Sequence, residues 1–178
     1  MHTVELLPDG ATERAVGEVW CRLLEAGLPS QAAHRHPTNR PHLTLATVDG
    51  LEADVRRRLE QVLTVLPLPL RLGGTLRFGG RTQVLAWAVL PDEELLRLHE
   101  RVWRALRDAP SCGRLNPVHA PERWTPHISL GRGRHAVWPL PDTALLPGTP
   151  GGTGGGLTGR WVSARTYDSV PRTTDRLG

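Results

Sequence analysis

Pro41-His42-Leu43-Thr44-Leu45 and Pro126-His127-Ile128-Ser129-Leu130 are two versions of one pentapeptide. In an extended strand, alternate side chains share a face. Each copy therefore sets an imidazole beside a hydroxyl on one face and anchors the opposite face with Leu or Ile. Two such strands facing each other would supply two proton-transfer groups and two hydroxyl donors. In-line attack on a phosphate ester needs this set. A base activates the attacking oxygen, an acid protonates the leaving oxygen, and donors hold the phosphoryl oxygens where charge builds up. Histidine, with an ordinary pKa of about 6.5, can take either proton role near neutrality.

A lone His-x-Ser/Thr is a weak signal, and the chain has eight histidines. His36-Pro37-Thr38 is the accidental match, since its central proline cannot donate to a strand ladder. The two pentapeptides also share the leading proline, the apolar middle residue and the closing leucine. His34, His36 and His42 could pass for a metal cluster, but no Cys, Asp or Glu close in sequence completes it. A site without metal is the expectation.

The elements that must position the pentapeptides repeat as well. Leu7-Pro8-Asp9 stands before Val19-Trp20 at the spacing by which Leu90-Pro91-Asp92 precedes Val102-Trp103. At the same offset Arg14 matches Arg97, Leu23 matches Leu106 and Ala26 matches Ala109. Such self-similarity predicts a repeated unit of strand, Pro-Asp turn, helix, loop and His strand. Periodicity predicts strands over 3–7, 43–48, 68–72, 75–78, 84–90 and 160–167. It predicts helices over 12–26, 52–65 and from Asp92 to about residue 107. Trp20 and Trp103, at equivalent helix sites, read as packing residues, and Arg56, Arg57 and Arg58 as a solvated face. Residues 139–159 are rich in Pro and Gly but carry no Gly-Lys-Ser/Thr, so they read as a surface connection and not a P-loop.

A chain of 178 residues suits one domain, or two small lobes sharing a sheet. No apolar run reaches membrane-spanning length, and no charged-then-apolar leader opens the sequence. Its two cysteines are too few for a disulfide scaffold, so a reducing, cytoplasmic setting is expected. A monomer is the expected state. All 22 basic residues are arginine, and the net charge is +4. Phosphate contacts must therefore come from Arg forks, His, hydroxyls or backbone, while the modest charge does not demand nucleic acid.

The paired motifs resemble the 2H phosphoesterase superfamily, and within it the 2′-5′ RNA ligase and cyclic phosphodiesterase group. Arg123-Trp124-Thr125-Pro126-His127-Ile128-Ser129-Leu130-Gly131-Arg132 is similar to that group's second motif. Phe78-Gly79 through Val84-Leu85-Ala86-Trp87 looks like its glycine turn and following strand, and Tyr167-Asp168-Ser169 weakly resembles its C-terminal Tyr-x-Ser. The chain departs from the pattern in its missing lysines, in Ser129 where Thr is commoner, and in the Gly/Pro insertion. The resemblance implies an α/β (α+β) bilobal, duplicated fold. Two antiparallel-rich sheets would flank a central cleft, with helices outside.

The resemblance also implies metal-independent hydrolysis of 2′,3′-cyclic phosphate ends of RNA or nucleotides, without a cofactor. The catalytic residues would be His42, Thr44, His127 and Ser129, with Arg132 holding phosphate. Trp124 and Phe78 could stack on a base or fill the core. A ligase working in the same cleft, or a module that binds RNA ends or nucleotides without turnover, are the other readings. Spacing alone does not say which histidine is acid. The resemblance makes His42 the acid, His127 the base and a 2′-phosphate the product.

Overall fold

Asp9 and Asp92 each follow a strand and open a helix. Their carboxylates accept the backbone N–H groups of Thr12 and Leu95 at 2.8 and 2.9 Å. Such caps satisfy N–H groups that the first helical turn leaves unpaired. Both caps stand in the repeated Leu-Pro-Asp triplets, so the internal echo marks two helix starts.

The computed structural model describes residues 1–138 and 156–178. Its strands are β1 (His2–Pro8), β2 (Leu43–Val48), β3 (Leu68–Phe78), β4 (Gln83–Val89), β5 (His127–Gly133), β6 (Thr158–Asp168) and β7 (Thr173–Leu177). Its α-helices are α1 (Gly10–Glu25), α2 (Ala53–Leu63) and α3 (Glu93–Arg107). The strands form an antiparallel array in the order β2-β1-β6-β3-β4-β5, with β7 pairing β6. β3 joins two half-sheets: residues 68–71 pair with β6 and residues 72–78 with β4. The predicted α/β class, with antiparallel half-sheets and outer helices, is the fold observed.

Three details differ from the sequence reading. Residues 68–72 and 75–78 form one strand, in which Gly73-Gly74 marks a shift of register instead of a break. A Cβ on Gly73 would stand 2.8 Å from Leu90 Cδ2, so a larger residue there would push that half-exposed leucine aside. β6 starts at Thr158, inside the predicted connection; the rest of that segment, through residue 155, lies outside the described residues. β7 escapes the sequence reading, because Thr173-Thr174-Asp175-Arg176-Leu177 buries only its leucine and shows no apolar alternation.

The two motif strands, β2 and β5, are the two edges of the array. The sheet curls until these edges touch. The helices then cross over: α1, from the first half, packs on β5, while α3, from the second half, packs on β2. Val16, Val19 and Leu23 of α1 and Leu98, Val102 and Leu106 of α3 are buried in one core with Leu45, Trp87, Ile128 and Leu130. Among the described residues, no helix is long and apolar enough to cross a membrane.

His99 is the polar member of the α3 contact. It is 2% exposed and donates its Nε2 proton to the Leu45 carbonyl of β2 at 3.1 Å. Burial pushes its pKa down to about 4, against the opposing pull of that carbonyl. The folded ring is therefore neutral where an unfolded one, with a pKa of about 6.5, takes a proton. Between those values the unfolded state binds more protons, so stability falls as pH falls and is flat above the window. For His99 the expected loss is about 3 kcal/mol across the window. Urea unfolding measured from pH 7 to pH 4 should show this slope. His99→Gln, which cannot titrate, should reduce it while leaving the part that comes from His119, whose pKa burial also lowers to about 4, and from His127.

Candidate active site

The rings of His42 and His127 are held the same way. Nδ1 of His42 lies 2.7 Å from the Arg40 carbonyl, and Nδ1 of His127 lies 2.7 Å from the Thr125 carbonyl. A carbonyl can only accept, so Nδ1 carries the proton in both rings and donates it two residues back along the chain. In each neutral ring, Nε2 is then the nitrogen left to accept a proton.

The strands that carry the rings share a second device. Along β1 and β2, Glu5 pairs with Thr44 but the preceding Val4 pairs with Ala46, so Leu45 is an extra residue. Along β4 and β5, Ala86 pairs with Ser129 but Leu85 pairs with Gly131, so Leu130 is the extra residue. Both bulges fall at the closing leucine of the pentapeptide, directly after the hydroxyl. A bulge breaks the two-residue period and re-aims the side chains beyond it. Three residues apart, Ser129 and Arg132 would lie on opposite faces of a regular strand, yet both line one cleft. Gly131, beside the bulge, accommodates the backbone of Pro29: a Cβ there would meet the Pro29 carbonyl oxygen at 2.0 Å.

The cleft, about 570 Å³ in volume, is lined by His42, Thr44, Ser129 and Arg132, and also by Thr3, Glu5, Arg165 and Tyr167. Sequence reasoning misses Glu5 and Arg165. Glu5, 2% exposed, accepts from Arg165 Nε at 2.8 Å and from the Thr3 hydroxyl at 2.6 Å. Its Oε1 also lies 3.6 Å from His42 Nε2, an ion pair whenever that ring is protonated. Burial pushes the Glu5 carboxyl up, but His42, Arg165 and the Thr3 hydroxyl outweigh it and hold the pKa below the usual value. A readable signal exists: Thr3 and Glu5 alternate with buried Val4 and Leu6, so β1 has a polar face.

His127 is not part of that lining. Phe78 covers it, with ring centroids 4.6 Å apart at an interplanar angle of 45°. Burial lowers the His127 pKa below the usual histidine value; the Thr125 carbonyl opposes this and the charge of nearby His42 adds to it. Trp124 is tied to the first motif strand and does not line the cleft. It stacks on His99 with centroids 3.7 Å apart and donates its indole N–H to the Thr44 carbonyl at 3.0 Å. Trp20 of α1 makes the matching bond, donating to the Ser129 carbonyl at 3.0 Å. An indole from each half thus grips the hydroxyl-bearing residue of the other half. His34 and His36 line the cleft with His42, yet among the described residues no three His, Cys, Asp or Glu side chains gather as a metal would require.

The antiparallel array with a His-x-Thr and a His-x-Ser strand at its two touching edges defines the class. The family model of the 2′-5′ RNA ligase superfamily matches residues 8–145, and the chain belongs to that superfamily. Among solved structures, TT0787 of Thermus thermophilus is similar with a TM-score of 0.67 and 18% identity, covering 99% of this chain and 94% of that one. Escherichia coli LigT in complex with NADP+ gives a TM-score of 0.57 and 17% identity, covering 98% and 91% of the two chains. Kluyveromyces marxianus Usb1 gives 0.54 and 13%, covering 99% and 96%. No curated protein sequence matches the chain.

Two substitutions test the packing around the site. Glu5→Gln leaves Arg165 buried without its counter-charge and should cost about 3–5 kcal/mol in urea unfolding. Trp124→Phe keeps a ring on His99 but removes the bond to the Thr44 carbonyl, and should cost about 1 kcal/mol in the same assay.

Proposed function

We propose that this chain is a metal-independent phosphodiesterase that opens 2′,3′-cyclic phosphates of RNA ends or nucleotides to 2′-phosphates. The observation that carries the reading is the matched pair of histidines, each with Nδ1 tied to its own backbone, on edge strands whose hydroxyls line one cleft. Membership of the superfamily supports it, and the same reading takes the two strand–helix–strand units as duplicated lobes of one domain.

In this reading a water attacks phosphorus opposite the 3′ oxygen, and His127 Nε2 takes its proton. The new P–O bond forms as the P–O3′ bond breaks, and His42 Nε2 gives its proton to the departing oxygen. Thr44 and Ser129 donate hydrogen bonds to the non-bridging oxygens, and Arg132 adds a charged fork. The surroundings support the assignment that symmetry leaves open. Glu5 Oε1 stands 3.6 Å from His42 Nε2, where it would pair with an acid's proton-bearing nitrogen, whereas burial under Phe78 favours the neutral ring that a base needs. A 5′-hydroxyl taking the place of water would turn the same step into ligation, and the family's name favours that as the second reading.

His42→Ala and His127→Ala should each lose most of the rate on 2′,3′-cyclic nucleotides assayed in chelator. Thr44→Ala and Ser129→Ala should lose roughly 10²–10³-fold. The kcat/KM profile should be bell-shaped, with an acidic limb below the ordinary histidine value because the base's pKa is lowered by burial. An activated leaving group should rescue His42→Ala but not His127→Ala; the opposite pattern reverses the roles. Activity that vanishes in chelator and returns only with a divalent ion would overturn the reading.

A further inference from the structure

The cleft extends well past the reacting residues. Its floor is the polar face of the sheet: Thr44 on β2, then Glu5 and Thr3 on β1, then Arg165 and Tyr167 on β6, in the register Thr44–Glu5–Arg165 and Thr3–Tyr167. From β2 to β6 is two strand spacings, about 10 Å. Beyond Tyr167, in the turn between β6 and β7, Arg172 closes that end of the lining.

The charges along this floor are unevenly committed. Glu5 is the one carboxylate in the lining among the described residues, and Arg165 neutralises it while its Nη2 donates to the Thr38 carbonyl at 2.9 Å. Arg132 and Arg172 face the cleft with no acidic partner among the described residues. Arg132 stands with Ser129 on β5, at the catalytic end; Arg172 stands past β6, at the other. Two uncommitted guanidinium groups at separate ends of one cleft call for two anionic groups on one ligand. Between them lies Tyr167, the chain's sole tyrosine, able to stack on a base while the two arginines meet phosphates at either end.

We infer that the Tyr167–Arg172 end of the cleft is a subsite for a second phosphate of the substrate, namely the internucleotide phosphodiester that precedes the terminal phosphate of an RNA chain. The inference rests on the proposed nucleotide reading of the same cleft, and it names the preferred substrate as an oligonucleotide end over a free mononucleotide. A 5′-phosphate on a mononucleotide offers the same chemistry from another source, so the two must be told apart.

The test is binding of inert product-like ligands to the full chain, read by tryptophan fluorescence or calorimetry. The probes are adenosine 2′-phosphate, adenosine 2′,5′-bisphosphate, and the dinucleotide ApA carrying a terminal 2′-phosphate. The dinucleotide should bind about tenfold or more tighter than adenosine 2′-phosphate, as expected of one added charge-assisted contact. Arg172→Gln should shrink that ratio to about threefold or less, and the dinucleotide's salt dependence should weaken with it. Equal affinity of the dinucleotide and adenosine 2′-phosphate overturns the subsite, as does a ratio that survives Arg172→Gln. A bisphosphate that binds better than the dinucleotide overturns the internucleotide assignment. Because binding needs no turnover, a tenfold preference that depends on Arg172, in a chain that does not hydrolyse 2′,3′-cyclic phosphates, would uphold the subsite and sink the hydrolytic reading.

Discussion

A neutral imidazole carries one proton, and the nitrogen that holds it decides what the other nitrogen can do. In this chain that choice is made by the backbone. The carbonyls of Arg40 and Thr125 turn back onto the Nδ1 atoms of His42 and His127 at 2.7 Å. The intervening residue is proline in both places, and proline narrows the backbone twice. It fixes its own φ and keeps the residue before it extended. Pro41 and Pro126 therefore hold each carbonyl at the angle the ring requires. Removing either proline would free the loop to point its carbonyl at water and the ring to choose its tautomer.

Around this symmetric pair the surroundings are asymmetric. His42 looks onto a buried carboxylate, whereas His127 lies under a phenyl ring. The Glu5–Arg165 pair that creates the difference is itself a structural commitment, since an unpaired charge at that depth would be costly. It links β1 to β6 across the middle of the sheet, and Thr38 ties it to the loop before β2. The polar surroundings of His42 and the cohesion of the sheet are thus carried by the same two side chains.

Much of this is legible in the amino-acid sequence. The pentapeptides locate both motif strands, and the Leu-Pro-Asp echo locates two helix starts, because caps and strand periods are local features. Glu5 and Arg165 escape such reading because their pairing spans most of the chain, and only their alternation with apolar neighbours hints at a polar face. The bulges at Leu45 and Leu130 leave no local mark, since an extra residue is defined by the partner strand. That is also why Arg132 reaches the cleft at a spacing that simple alternation forbids. Trp124, readable as a base-stacking ring or as core, instead holds the backbone of the other half's strand, a role that only the folded chain defines.

The placement of the two motif strands at the rims of the sheet has a consequence for life in a crowded solution. Exposed rims invite a second chain to add its own strand and begin aggregation. Here the rim strands face one another, and their backbones are already engaged: Asn116 donates to the Thr47 carbonyl, Trp124 to Thr44, His99 to Leu45 and Trp20 to Ser129. The contacts that aim the hydroxyls also leave few pairing groups for a stranger. A variant that loosens these grips should therefore become sticky as well as slow.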